Sequence, residues 1–163
     1  MQIITRQTLA ALSDAAQASP RRRSNLNMHA QLDDPVQRML NSGHPGSYVR
    51  PHRHGPDRWE SFVLVQGSIA ILTFDDDGRA INRYDLHPND LPIVELPGGV
   101  WHSITFLEPG SVVFELKPGP YRPTSDKDFA AWAPLENAPG ADALAAWLAI
   151  AQPGERWSGY SAE

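Results

Sequence analysis

Three histidines and one glutamate carry the chemistry of this chain: His52 and His54 separated by one residue, then Glu60, and much later His102. Three imidazole nitrogens and a carboxylate form a borderline-hard donor set that suits one divalent iron, manganese, nickel or zinc ion. On a strand, His52 and His54 project from the same face about 7 Å apart, near enough for both rings to converge on one ion. Glu60 and His102 have to arrive from other strands, which a small β-barrel supplies. Four protein ligands on an ion that prefers six leave two positions for water or a bidentate substrate, as in a catalytic site rather than a closed structural one. Read singly, each residue has a plainer explanation: a surface His-x-His pair, a solvated glutamate and a hydrogen-bonded core histidine.

Further residues qualify as neighbours of such an ion. Val113, Glu115 and Lys117 alternate on one strand face. An inward Glu115 is a candidate general acid or base, and the plainer alternative is an ion pair with Lys117. Tyr121, after Pro118-Gly119-Pro120, is a candidate proton donor or a packing residue. Asn25, Asn27 and His29 share a polar face that either lines a barrel mouth, binding substrate hydroxyls, or faces solvent. Arg50 shares a strand face with His52, and with Lys117 it completes the candidate substrate-binding set. Arg21-Arg22-Arg23 offers bidentate contacts to a phosphate, or is a solvated charge run. His44 and His87 lie in turn-like segments and read as surface residues. Trp59 and Trp101 each precede a ligand and so point away from it.

The elements that must position these residues are mostly strands. Arg6 to Ala18 reads as a helix with Thr5 as N-cap and Leu9, Leu12 and Ala16 as its buried stripe, ended by Pro20. Ser24 to His29 alternates as a strand. Asp34-Pro35 opens a short predicted helix with Val36, Met39 and Leu40 buried, stopped by Gly43. From Ser47 to Lys117 the pattern is β: Ser47 to His54, Glu60 to Gln66, Ser68 to Phe74, Ala80 to Leu86, Asp90 to Leu96, His102 to Leu107 and Ser111 to Leu116. Asp75-Asp76-Asp77-Gly78 supplies a hairpin turn. Pro118, Pro120 and Pro123 make an extended stretch, and Phe129 and Trp132 anchor a short helix or turn. Leu144, Trp147, Leu148 and Ala151 define a C-terminal helix. Trp157 and Tyr160 are the residues that would fasten the tail. Strands this short, with 15 prolines and 12 glycines, predict a sandwich or barrel.

The 163 residues read as one domain: a lead-in over 1–45, a barrel core over 46–117 and an extension over 118–163. A hydrophobic fraction of 41% with 20% charged residues describes a globular chain rather than a disordered one. No apolar run reaches the roughly 18 residues of a spanning helix, and the N-terminus has no apolar leader pattern, so a soluble cytoplasmic protein without a membrane partner is expected. Zero cysteines exclude disulfides, thiolate metal sites and cysteine nucleophiles. A net charge of -5 argues against nucleic acid as a partner.

The pattern Gly46-x5-His52-x-His54-x5-Glu60-x6-Gly67 resembles the first cupin motif, with one extra residue before the glutamate. Pro97-Gly98-Gly99-Val100-Trp101-His102 resembles the core of the second. Leu91 stands where that motif opens on glycine, and Phe106 where asparagine is frequent; neither is a ligand position. The resemblance implies a mainly β, cupin-type double-stranded β-helix (jelly-roll) barrel with N-terminal and C-terminal helices, and metal ligation by His52, His54, Glu60 and His102. It also implies a homodimer. A narrower similarity runs through Pro20 to Arg23, Asn25 to His29, Asp34 to Leu40, Tyr48 to His54, Phe114 to Tyr121 and Trp132-Ala133-Pro134. On these the chain resembles the WbuC family of cupin-fold metalloproteins, associated with bacterial surface-polysaccharide (O-antigen) gene clusters. That similarity implies a metal-dependent enzyme, an isomerase, epimerase or hydrolase, acting on a small polar molecule such as a sugar or nucleotide-sugar. The alternatives are an iron-dependent dioxygenase and a non-catalytic sugar-binding or regulatory protein.

Overall fold

The computed structural model of the protein describes residues 1–122 and 127–159. Pro123 and Tyr160 of the sequence reading fall outside them. The architecture is the predicted one: mainly β, two antiparallel sheets facing each other as a jelly roll, with a helix near each end.

Helix α1 (Arg6–Ala18) begins where Thr5 and Thr8 satisfy each other's backbone N–H groups in a reciprocal capping box. Its buried Leu12 and Ala16 settle on the outer face of the first sheet, where Leu12, Leu40 and Val112 form one apolar cluster with Leu9, Leu26 and Phe114 around it. That sheet has the order β1-β2-β9-β4-β7, comprising β1 (Arg23–Asn27), β2 (Val36–Gly43), β4 (Glu60–Gln66), β7 (Ile93–Leu96) and β9 (Ser111–Pro118). The second has the order β10-β3-β8-β5-β6, comprising β3 (His52–Arg53), β5 (Ile69–Phe74), β6 (Ala80–Leu86), β8 (Trp101–Phe106) and β10 (Asp128–Phe129). Helix α2 (Ala141–Ile150) covers the outer face of the second sheet, burying Leu144 and Leu148 with Ala70, Leu72 and Phe74. All six residues of β5 are buried. The strand lies between α2 on one side and the barrel interior on the other, so apolar residues occupy both faces. The interior is closed by Phe62, Leu64, Leu96 and Val113 from the first sheet against Ile69, Ile71, Leu86 and Phe106 from the second.

Three expectations are corrected. The segment predicted as a helix after Asp34-Pro35 is strand β2, paired antiparallel to β9 from Val36↔Pro118 to Gly43↔Ser111. Val36, Met39 and Leu40 mimic a helical stripe, but the long-range ladder with β9 satisfies every inner position of the segment and overrides that local pattern. His44 is buried, not superficial, and its Nε2 lies 3.2 Å from the Ser13 carbonyl oxygen, tying α1 to the end of β2. Phe129 belongs to the two-residue strand β10, with Phe129 opposite His52, and Trp132 follows in a turn.

Candidate metal centre

His52 and His102 are direct register partners across β3 and β8, which brings their ring centroids to 4.5 Å. His54 follows two residues later, and its carbonyl oxygen accepts the Gly99 N–H at 3.0 Å. Gly98 makes that approach possible: a Cβ there would collide with the backbone oxygens of Gly55 and Pro56. The Pro97-Gly98-Gly99 turn therefore docks on the loop that carries His54. Glu60 opens β4 in the opposite sheet, in register with Leu96 at the other end of that turn. One turn thus gathers ligands from both sheets.

All four side chains are buried, and one donor atom from each lies within 4.8 Å of the others. Glu60 Oε1 is 3.0 Å from His54 Nε2, and Oε2 is 2.9 Å from His102 Nε2. Neither contact has the alignment of a hydrogen bond, and His102 Nε2 and Glu60 Oε2 make none among the described residues. Two buried acceptors turned to a common point is the arrangement a cation resolves. The tautomers agree. His52 Nδ1 and His102 Nδ1 each lie 2.9 Å from a carbonyl oxygen, of Arg50 and Val100 respectively. A carbonyl only accepts, so both protons sit on Nδ1 and both Nε2 lone pairs face the centre. Burial and then the charge of Lys127 hold the His52 imidazole well below its usual range, which keeps it neutral as a ligand must be. Burial raises the Glu60 carboxyl, but its contacts with His102 and His54 and the charge of Lys117 outweigh this and leave it ionised. The residues present therefore fit a divalent ion.

The centre forms one wall of a cavity of about 160 Å³. Phe62, Ile104, Phe106 and Val49 give it an apolar side; Asn25, Asn41, Glu115, Ser24, Arg21, Arg23 and Lys127 give it a polar side and mouth. Glu115 Oε2 accepts from Asn41 Nδ2 at 2.6 Å. Burial, and next the Glu60 charge, push the Glu115 carboxyl upward. Lys117 is buried behind the two acids, its Nζ 3.4 Å from Glu60 Oε1 and from Glu115 Oε1.

The other sequence-predicted residues fall elsewhere. Of the polar strand face, Asn25 reaches the cavity and donates to Asn27 Oδ1 at 2.7 Å, while Asn27 is exposed. His29 lies past the end of β1, buried, with Nδ1 accepting the Arg38 N–H at 3.1 Å. The Arg50 guanidinium donates to the carbonyls of Ala133 at 3.1 Å and Ala130 at 3.0 Å and covers the Phe129 ring, so it fastens the C-terminal extension beside His52. Tyr121 is half-buried and its N–H donates to Leu32 O at 2.7 Å; it is absent from the residues that line the cavity. Asn41 and Lys127 were not anticipated. Asn41 was hidden by the helical reading of β2; nothing in the sequence around Lys127 marks it.

Among solved structures, the capsular polysaccharide assembling protein CapF from Staphylococcus aureus is 25% identical, with a TM-score of 0.56, over 66% of this chain and 29% of CapF. The chain thus spans less than a third of that relative's length. L-ribose isomerase from Cellulomonas parahominis is 16% identical with a TM-score of 0.50, over 67% of this chain and 69% of the isomerase. A cupin superfamily protein from Desulfitobacterium hafniense is 19% identical with a TM-score of 0.49, over 66% and 86%. No curated protein matches the sequence. The fold is a cupin-type jelly roll, and its buried His–Glu cluster could hold a metal ion. At family level, the model described as "Domain of unknown function (DUF6016)" matches residues 4–86, just over half of the sequence, and the chain belongs to that family.

Proposed function

We propose that the protein is a single-domain, metal-dependent cupin enzyme acting on a sugar or nucleotide-sugar in the assembly of bacterial surface polysaccharide. The observation that carries the reading is a second carboxyl group, Glu115, facing the same cavity as the His52, His54, Glu60 and His102 cluster. A bound divalent ion would supply Lewis acidity toward adjacent oxygen atoms of the ligand. The chain's own groups supply the rest. Asn41, donating to Oε2, and Lys117, against Oε1, orient the Glu115 carboxyl at the cavity wall, and burial favours its protonated form, which suits it to pass a proton to or from a bound molecule. Lys117 bridges that carboxyl and Glu60, and Phe62, Ile104 and Phe106 give the apolar face of a sugar ring a dry surface. Among the polar groups lining the cavity, Asn25 and Asn41 suit hydroxyl recognition. The polysaccharide setting is supported by the similarity to WbuC proteins and by the likeness to CapF, a capsular polysaccharide assembling protein. The cupin resemblance extends the reading to a homodimer, which light scattering on the purified protein tests.

The test pairs metal content with turnover. Protein purified without chelators should carry close to one transition-metal ion per chain by plasma mass spectrometry, and His102→Ala should lose it. Glu115→Gln should keep the ion and lose at least a hundredfold of the turnover found in a screen of nucleotide-sugars. Metal-free wild-type protein, or a Glu115→Gln variant as active as wild type, overturns the reading.

A further inference from the structure

The charged groups around the cavity run against the balance of the whole chain. The protein carries a formal net charge of -5, yet among the described residues three cations, Arg21, Arg23 and Lys127, line the cavity against two carboxylates, Glu60 and Glu115. A divalent ion on the histidine cluster would make that wall more positive still. Clefts with low-dielectric walls concentrate such a field on whatever enters them.

The three cations are not equivalent. Arg23 is turned into the protein, with Nη1 donating to Tyr48 O at 2.5 Å and Nη2 to Glu136 Oε2 at 3.2 Å. Arg21 spends its Nε and Nη2 on Glu136, at 2.5 and 2.9 Å. That leaves its Nη1 for a ligand, on a side chain that is 56% exposed. Glu136 therefore acts as a brace that fixes the orientation of both guanidinium groups rather than filling the cavity, since it is not among the lining residues. Lys127 is the residue that leads into β10. It stands two residues before Phe129, which pairs with His52. The chain beyond is fastened by the Ala130 N–H to Pro51 O at 3.0 Å and by the Arg50 guanidinium to the carbonyls of Ala130 and Ala133. The Lys127 side chain lines the same cavity as His52 and Glu115. Ser24 and Asn25 line the same cavity as both cations.

We propose that the mouth of this cavity is an anion subsite, formed by Lys127 and Arg21 with Ser24 and Asn25, and that the ligand is a hydroxylated molecule bearing a carboxylate or a phosphate. Its hydroxyl-rich end lies toward the histidine cluster and its charged end toward Lys127. Neutral sugars of the same size lack the group that the mouth is built to hold. This inference rests on the metal-dependent, sugar-directed reading above and narrows its substrate class.

Isothermal titration of the manganese-loaded full chain tests it with three matched probes: glucitol, which is neutral, gluconate, which carries a carboxylate, and glucose 1-phosphate. At least one anionic probe should bind ten times or more tightly than glucitol, and its affinity should fall as salt is raised. Which of the two wins identifies the charged group. Lys127→Met should lose about tenfold in affinity for that probe and Arg21→Gln a smaller factor, with Lys127→Arg restoring most of it. Manganese affinity, measured separately by chelator competition, should be unchanged in all three variants, and their melting curves report folding. Equal binding of neutral and anionic probes, no binding of any, or a Lys127→Met variant with wild-type anion affinity overturns the subsite. Failure of manganese to bind the wild-type protein would instead overturn the metal-dependent reading.

Discussion

At the scale of single residues, the candidate centre is a set of buried groups whose charge states depend on one another. His52 is 4% exposed, and burial is the first cause of its lowered basicity, with the Lys127 charge adding to it and the Glu60 charge and the Arg50 carbonyl opposing it. The consequence for stability has a definite sign. In the ion-free protein, the unfolded chain takes up a proton on His52 near the ordinary value of 6.5, whereas the folded chain does so only at lower pH. Stability is therefore unaffected by this group above that value and falls as pH drops below it toward the folded value. Chelator-treated protein should unfold at lower denaturant concentration at pH 5.5 than at pH 7.5, and His52→Gln should flatten the difference. An equally steep profile in the variant would contradict the assignment. The four ligand candidates were legible in the sequence because His52 and His54 share one strand face and the resemblance to the two cupin motifs, with their glycine-marked turns, adds Glu60 and His102. Asn41 and Lys127 were not, since each reaches the cavity only through pairing with distant strands, β2 with β9 and β10 with β3.

Elements explain why some stretches could be read and others not. Helix α1 and strands β4 and β6 carry their own signals, a capping threonine with a spaced apolar stripe in one case and branched alternating residues bounded by turns in the others. Strand β2 carries a contradictory one. Asp34-Pro35 imitates a helix start, and its strand faces mix polar with apolar residues because Gln37 and Asn41 point inward with Met39. Its β form depends on β9, and no local rule contains that partner. The turn between β7 and β8 shows the opposite case, in which a local feature controls a distant one. Gly98 lies against the Gly55 and Pro56 carbonyls, and the neighbouring Gly99 N–H holds His54. In Gly98→Ala, a methyl group meets backbone, which cannot swing aside as a side chain can. The variant should be destabilised by about 1–3 kcal/mol, and its affinity for zinc should drop roughly tenfold, because His54 and His102 are displaced relative to each other. Unchanged zinc affinity in a folded Gly98→Ala variant would show that the turn does not set the distance between the histidines.

Across the whole molecule, the ligand candidates belong to different layers. His52 and His102 come from the second sheet and Glu60 from the first, while each sheet is backed on its outside by its own helix, α1 or α2. The interior apolar contacts, among them Phe62 and Leu64 against Ile69 and Ile71, join the sheets along the barrel. At the end holding the centre, that seam is interrupted by buried His, Glu and Lys side chains, which cost desolvation free energy without adding apolar contact. An ion shared by both sheets would close this end, so metal loading should report on global stability and not merely on local order. Linkage gives the scale: free ion at one hundred times its dissociation constant stabilises the folded state by about 2.7 kcal/mol, which for a chain of this size raises the melting temperature by about 5–10 °C. The increment should appear on adding manganese, nickel or zinc to chelator-treated protein and should vanish in His52→Ala and Glu60→Gln, one ligand from each sheet. The same shift surviving in both variants would place the ion elsewhere, and a wild-type melting temperature indifferent to metal would mean that the two sheets are held together without it.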